Sequence, residues 1–146
     1  MSYTTILLEK MEGIAKITLN KPEAFNAINS QMVDDLAKAV EDVKKDPNVK
    51  VLIITGAGKA FSAGGDVKAM PEMLNWSQVD LLEHLKRIHE VIYTLSDMDK
   101  ITIAAINGVA AGAGLSLALA CDMRIASENA RLTTGFIRVG LHTDCG

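Results

Sequence analysis

Apolar residues recur at two different spacings in the first fifty positions of the chain. Residues 3–10 and residues 14–19 are rich in leucine and β-branched residues and are separated by Met11-Glu12-Gly13. This pattern predicts two strands joined as a hairpin. From Ser30 onward the spacing becomes helical, and the predicted helix ends before Pro47. One face of that helix carries Met32, Leu36, Val40 and Val43.

Two later stretches, residues 51–55 and 101–106, are continuously apolar, which predicts strands covered on both faces. Between them, Ser77-x-x-Asp80 has the spacing of a capping box and predicts the start of a long helix. Residues 114–120 predict another helix and residues 123–126 another strand. This alternation predicts a single α/β domain over residues 1–146, with a partly parallel sheet packed by helices. The apolar line of the long helix comprises Leu81, Leu85, Ile88, Ile92 and Leu95.

Composition narrows the class of protein. The chain has 146 residues, of which 49% are hydrophobic and 23% charged, and its formal net charge is -3. Lys and Arg are dispersed, so no basic patch predicts binding to nucleic acid or to an anionic membrane. No apolar run approaches the ~18 residues of a membrane span, and the first ten residues lack a secretory signal, so we expect a cytoplasmic protein. Cys121 and Cys145 lack metal-ligand spacing, and we expect both to be reduced.

Small residues dominate the two loops that follow the predicted central strands. The first runs from Gly56 to Lys68 and the second from Asn107 to Gly114. Such loops let a ligand approach the backbone, and a short helix opening at Val67 would leave nearby amides pointing outward. One amide from each loop would form an oxyanion hole. Either loop alone is equally compatible with a role in packing, and neither has the spacing of a nucleotide-binding loop.

Three segments together resemble a known family. They are Leu19-Asn20-Lys21-Pro22 with Asn26-Ala27-Ile28-Asn29, then Phe61-Ser62-Ala63-Gly64-Gly65-Asp66, then Ala104-Ala105-Ile106-Asn107-Gly108 with Ala111-Gly112-Ala113-Gly114. In order and spacing they are similar to the hallmark segments of the crotonase (enoyl-CoA hydratase/isomerase) family, and the similarity runs along the whole chain. The resemblance implies a crotonase-like (ClpP/crotonase) spiral core of ββα units. It also implies an enzyme that binds an acyl-CoA and stabilises a thioester enolate.

The resemblance further implies individual site residues. The backbone amides that hold the thioester oxygen in the family map onto Gly65 and Ala113. The resemblance implies no metal ion, and no cofactor apart from coenzyme A as part of the substrate. Contacts with CoA and with the acyl group map onto Ala24, Asn26, Ala63, Asp66, Val67 and Phe136.

Carboxylates separate the activities within this family. The two glutamates by which its hydratases add water fall on Ser116 and Phe136, and neither residue can act as a carboxylate base. Ser116 could hold a water molecule or simply bond to the local backbone. Asp144 lies in a segment similar to the one in which certain isomerases of the family place a catalytic aspartate. Such an aspartate can move a proton along the acyl chain if burial raises its pKa, although without the resemblance Asp144 is equally an exposed turn residue.

These departures predict an enoyl-CoA double-bond isomerase. The alternatives are an enoyl-CoA hydratase, an acyl-CoA hydrolase or dehalogenase-type enzyme, and a fragment without turnover. The last remains open because family chains are longer and carry C-terminal helices that this sequence does not reach. The family also forms trimers or hexamers, so we expect a homo-oligomer. Apolar surface that those helices cover would be exposed here or buried between copies.

Overall fold

Eight strands and four helices make up the described part of the chain. A computed structural model describes residues 3–143 and 145. The strands are β1 (Ile6–Met11), β2 (Ile14–Leu19), β3 (Val51–Gly56), β4 (Ala60–Ser62), β5 (Ile101–Ile106), β6 (Val109–Ala111), β7 (Met123–Ala126) and β8 (Arg131–Thr133). The helices are α1 (Ser30–Lys45), α2 (Met70–Met73), α3 (Gln78–Ser96) and α4 (Ala113–Leu119), with 3-10 turns at Pro22–Ala24 and Phe136–Val139.

The strands form two sheets in which a strand-strand-helix unit repeats. A 5-stranded sheet has the order β1-β2-β3-β5-β7, and a 3-stranded sheet has the order β4-β6-β8. β1 and β2 are antiparallel, and every other pairing is parallel. After the hairpin, each unit places its first strand in the large sheet and its second in the small one. This arrangement agrees with the ββα repetition that the resemblance implies.

The core lies between the large sheet and α1. Along β2, β3 and β5, buried residues alternate with residues that are half-buried or exposed. The prediction that β3 and β5 are covered on both faces is therefore wrong, because their second face is only partly covered. Each fully buried aliphatic side chain contributes about 1.5–3 kcal/mol. The buried set includes Ile17, Leu19, Leu52, Ile54, Ala104 and Ile106 from the sheet and Met32, Leu36, Val40 and Val43 from α1.

Both long helices begin where the sequence predicts. The Asn29 side chain caps α1 by accepting a hydrogen bond from the Met32 N–H. The predicted capping box of α3 is present, since Ser77 Oγ accepts from the Asp80 N–H at 3.2 Å and Ser77 N–H donates to Asp80 Oδ2 at 3.1 Å. The buried residues of α3 are Val91 and Leu95, so the C-terminal part of this helix reaches the core.

Other sequence-based boundaries needed correction. β1 begins at Ile6, because the N–H groups of Thr4 and Thr5 donate to the Asp35 carboxylate of α1. Val67 lies in a turn, and the short helix expected there starts at Met70 instead. The strands β4, β6 and β8 were not predicted, since three residues are too few for a periodic pattern.

The two sheets end in exposed strands. All residues of β7 and of β8 are exposed, including Met123, Ile125 and Leu132. Residues 123–133 thus expose several apolar side chains. No helix within residues 3–143 is both long and apolar enough to cross a membrane.

Candidate active site

The two glycine-rich loops meet at the ends of β3 and β5. The first loop contains the short strand β4, and the second loop contains the short strand β6. These two strands pair in parallel. Gly64 packs so closely on the second loop that an added Cβ would lie 2.6 Å from the Ala111 carbonyl oxygen and 3.4 Å from the Ala113 nitrogen. The backbone next to the Gly65 amide is therefore in contact with the backbone next to the Ala113 amide, as the predicted oxyanion hole requires.

Gly65 is oriented by a parallel bridge to Ile28. Ile28 N–H donates to the Gly64 carbonyl at 2.7 Å, and Asp66 N–H donates to the Ile28 carbonyl at 3.0 Å. In such a bridge the N–H and C=O of the central residue, here Gly65, point away from the partner strand. Within the described residues, the Gly65 N–H donates no hydrogen bond.

Ala113 is the first residue of α4, and its N–H therefore has no acceptor within the helix. It too donates no hydrogen bond to any acceptor in the described chain. The preceding residue, Gly112, has φ +49° and ψ -124°, and its own N–H donates to the Thr133 carbonyl at 3.1 Å. One N–H on each side of the junction is thus left for an external acceptor.

Phe136 lies beside the second loop. Its ring atoms would be 3.8 and 3.9 Å from a Cβ added at Gly112, directly before Ala113. Phe136 is half-buried and begins a 3-10 turn that follows β8. Its predicted place next to the acyl group is compatible with this position.

The segment between the hairpin and α1, residues 20–29, is hydrogen-bonded to the first loop. Ala63 N–H donates to the Phe25 carbonyl at 2.9 Å. Ala24 ends the 3-10 turn and is half-buried, whereas Ala63 and Val67 are exposed. Asp66 is half-buried, and its carboxylate accepts from the Lys68 N–H at 3.1 Å. The predicted CoA contacts therefore share one region, and all of them except Asn26 have accessible surface.

Asn26 is fully buried, at 0% exposure. Its Oδ1 accepts from the Lys21 N–H at 2.9 Å, and its Nδ2 donates to the carbonyls of Ala57 and Ala60 at 2.9 and 2.8 Å. Both amide hydrogens are used, which leaves a ligand no donor on this side chain. Asn26 therefore holds the first loop through its buried side chain and has no surface that CoA could contact.

Two further residues support the first loop, and sequence reasoning gave neither a role. Asn107 accepts from the Gly56 N–H at 3.1 Å and donates to the carbonyls of Gly58 and Ala60 at 3.0 and 3.3 Å. Ser62 is 0% exposed and bonds to both Asn26 and Gly64. Both residues lie inside the motifs on which the resemblance rests. Only their hydrogen bonds in the folded chain distinguish them, as supports of the loop, from neighbouring residues in those motifs.

The remaining candidates are placed as follows. Ser116 lies in α4, 9% exposed, with its N–H bonded to the Gly112 carbonyl. Asp144 lies outside the described residues.

A groove of about 370 Å³ between the start of α1 and α3 is lined by none of the predicted site residues. The described residues contain no group of three or more His, Cys, Asp or Glu side chains arranged for a metal ion.

Comparison with known proteins tests the resemblance directly. Residues 9–146 match the family model for enoyl-CoA hydratase/isomerase. The chain belongs to this family. It is similar to the crotonyl-CoA hydratase of Syntrophomonas wolfei, with 39% identity over 142 residues that cover 97% of this chain and 54% of the relative. It is also similar to the 1,2-epoxyphenylacetyl-CoA isomerase of Escherichia coli, with 37% identity over 142 residues and coverage of 97% and 54%.

Solved structures of the family share the fold. The enoyl-CoA hydratase/isomerase from Xanthobacter autotrophicus superposes with a TM-score of 0.85 at 37% identity, covering 90% of this chain and 49% of that one. The crotonase-like α/β fold is confirmed. The chain spans about half the length of the curated relatives that it matches.

Proposed function

We propose that this protein is an enoyl-CoA double-bond isomerase that stabilises a thioester enolate between the Gly65 and Ala113 amides. The observation that carries the proposal is the pair of N–H groups at the contact between the two loops, neither of which donates within the described chain. Backbone N–H groups fixed in this way can stabilise negative charge as it develops on an oxygen.

The substrate class in this proposal is an acyl-CoA. Its support is the family, together with relatives whose names include a CoA thioester as the group acted on. When a proton leaves C2 of a 3-enoyl thioester, charge moves onto the thioester oxygen, which two donors would hold. Returning the proton at C4 gives the 2-enoyl product. Apart from coenzyme A as part of the substrate, no cofactor is needed for this proton transfer.

The proton carrier in this mechanism is Asp144. Its support comes from the sequence, since Asp144 falls in a segment similar to that of the family's isomerases. The two positions of the hydratase glutamates are Ser116 and Phe136, and neither side chain is a carboxylic acid. A general base has to lie within hydrogen-bond reach of the carbon-bound proton and has to have a pKa near the working pH.

Replacing Asp144 by Asn tests the assignment. This change keeps the shape of the side chain but removes the base, so kcat on a 3-enoyl-CoA should fall about 100-fold or more with little change in CoA affinity. Asp97→Asn is the matched control, because Asp97 is exposed at the end of α3 and its only ion pair in the described chain is with Lys44 at 3.5 Å. Full activity of the Asp144→Asn protein would reject Asp144 as the base.

Hydration is the second candidate, because a crotonyl-CoA hydratase is 39% identical to this chain. Incubation with crotonyl-CoA separates the two activities, since a hydratase converts it to a 3-hydroxyacyl-CoA. We expect negligible hydration and rapid isomerisation of a 3-enoyl-CoA. Efficient hydration would favour the hydratase, and inactivity on both substrates would favour a fragment without turnover.

Assembly and location are further parts of the proposal. We infer a homo-oligomer, a trimer or hexamer as in the family, and a cytoplasmic location. The exposed apolar residues of β7 and β8 support association, because large apolar patches are seldom left bare. Light scattering should show a mass above that of one chain, and a stable monomer would contradict this.

A further inference from the structure

Ser62 lies inside the junction between the two loops. It is the last residue of β4, it is 0% exposed, and its hydroxyl makes two hydrogen bonds. Ser62 Oγ donates to the Asn26 carbonyl at 2.8 Å and accepts from the Gly64 N–H at 3.2 Å. The single hydroxyl therefore connects the segment between the hairpin and α1 to Gly64, the residue that precedes Gly65.

The hydroxyl holds one side of Gly64, and the backbone holds the other. The peptide before Gly64 is fixed by Ser62, whereas the peptide after it is fixed by Ile28 N–H, which donates to the Gly64 carbonyl. Because a trans peptide is planar, its C=O and N–H point in opposite directions. Fixing the Gly64 carbonyl toward Ile28 thus aims the Gly65 N–H away from Ile28. Gly64 has φ +93°, a conformation that glycine adopts readily and other residues rarely do.

The same side chain also touches the second loop. A Cβ added at Gly114 would lie 2.5 Å from Ser62 Cβ and 2.7 Å from Ser62 Oγ, so the first turn of α4 packs directly on Ser62. Gly114 follows Ala113, just as Gly64 precedes Gly65. Ser62 is therefore in contact with the neighbours of both amides.

We propose that Ser62 is a positioning residue that sets the direction and spacing of the Gly65 and Ala113 amides. This inference rests on the proposed oxyanion hole. Ser62 does not touch the substrate, because it has no exposed surface. Its hydroxyl acts through Gly64 and its Cβ acts through Gly114. Asn26 supports it by keeping its own carbonyl in place as the acceptor of the hydroxyl.

Ser62→Ala is the direct test, because it removes both hydrogen bonds and adds no atoms. The probe is crotonyl-CoA labelled with ¹³C at the thioester carbonyl, whose infrared stretch falls in frequency when the oxygen accepts hydrogen bonds. We expect the bound stretch to move back toward its value in water. The kcat for a 3-enoyl-CoA should fall about 10- to 100-fold, with KM changed less than about threefold.

Thr102→Val is the matched control. Thr102 is also 0% exposed, and its hydroxyl donates to Asp122 Oδ2 at 2.9 Å and accepts from the Asp122 N–H at 2.8 Å. It lies near the start of β5, at the opposite end from the loops. This variant should lower the melting temperature as Ser62→Ala does, but the carbonyl stretch and kcat should stay at parental values.

The outcomes separate the inference from the function on which it rests. If the parent protein binds crotonyl-CoA without any shift of the carbonyl stretch, the oxyanion hole itself is wrong. If the parent shows the shift and folded Ser62→Ala keeps both the shift and kcat, the positioning role of Ser62 is wrong. Should Ser62→Ala fail to fold, Ser62→Cys replaces it, because a thiol is a weaker donor and acceptor. Unchanged shift and kcat in that variant would overturn the inference equally.

Discussion

The two loops offer the same group, one N–H each, but the chain holds them by different means. The loop after β3 is held by side chains. Asn26, Asn107 and Ser62 together make eight hydrogen bonds of at most 3.3 Å, either to the backbone of this loop or to the segment between the hairpin and α1. The loop after β5 is held by backbone groups, through the positive φ of Gly112 and the bond from the Gly112 N–H to the Thr133 carbonyl of β8.

This difference decides which substitutions matter. Side-chain anchors fail when a polar group is removed, because a buried partner is then left without a hydrogen bond. A backbone-held loop fails when a Cβ is placed where the chain leaves no room or where φ is positive. Single substitutions in either loop can therefore test whether the two loops are held by different means.

Gly64→Ala should have the largest effect, because its added Cβ meets both a lack of room and a positive φ. The added Cβ would lie 2.6 Å from the Ala111 carbonyl oxygen, at φ +93°. We expect kcat to fall about 100-fold or more and stability to fall by about 3 kcal/mol. Activity on a 3-enoyl-CoA and urea unfolding measure the two effects.

Gly140→Ala is the control for backbone strain alone. Gly140 has φ +74°, and a Cβ there would meet nothing within 4 Å. Its cost should be about 1 kcal/mol, with activity retained. Equal losses in the two variants would show that the contact between the loops is unimportant.

Asn26→Ala should have the next largest effect. It removes three hydrogen bonds in a fully buried place and should cost about 2–3 kcal/mol in urea unfolding. Asn107→Ala also removes three bonds, but Asn107 is half-buried, so water can replace them and the cost should be about 1 kcal/mol. A larger loss for Asn107 would reverse the assignment of Asn26 as the main anchor.

A buried carboxylate outside the two loops, Asp35 of α1, makes stability depend on pH. Burial by itself raises the pKa of Asp35, but hydrogen bonds from Thr5 and Thr4 outweigh it and bring the pKa down to about 2. A lowered carboxyl pKa stabilises the fold above the unfolded value near 3.8, and that contribution is lost as pH falls toward 2. We expect a loss of about 2 kcal/mol between pH 5 and pH 2.

Asp35→Asn provides the comparison for this titration. It should lower stability at neutral pH and flatten the dependence on acid, because the titrating group is gone. Urea unfolding at pH 5, 4, 3 and 2 follows both proteins. Parallel curves for the variant and the parent would exclude Asp35 as the source of the acid dependence.

The same contrast explains what could be read from the sequence. The hairpin, the long helices and the central strands have enough residues for periodicity and capping to predict them, as the Ser77 capping box illustrates. Gly65 and Ala113 followed from a resemblance, because a backbone amide leaves no trace in side-chain identity.

The supporting side chains could not be predicted in this way. Asn26 is a polar residue in a loop segment, which by itself indicates exposure, and its burial depends on carbonyls 31 and 34 residues further along the chain. Ser62 meets Gly114 only because β4 pairs with β6, and both of those strands are three residues long. Contacts between such short elements are decided by the fold as a whole.

Gly112→Ala is the sharpest test of the backbone-held loop, and its effect on kcat should be smaller than that of Gly64→Ala. Gly112 has positive φ, but a Cβ would have ordinary contacts, the nearest being the Thr134 carbonyl oxygen at 3.6 Å. Strain alone should cost about 1–2 kcal/mol, and turning of the Ala113 N–H should lower kcat about tenfold. Binding of ¹³C-labelled crotonyl-CoA, measured by its carbonyl stretch, reports the turning directly. If Gly112→Ala lowered kcat as much as Gly64→Ala, local strain and not loop contact would control the amides, and the two loops would be held in the same way after all.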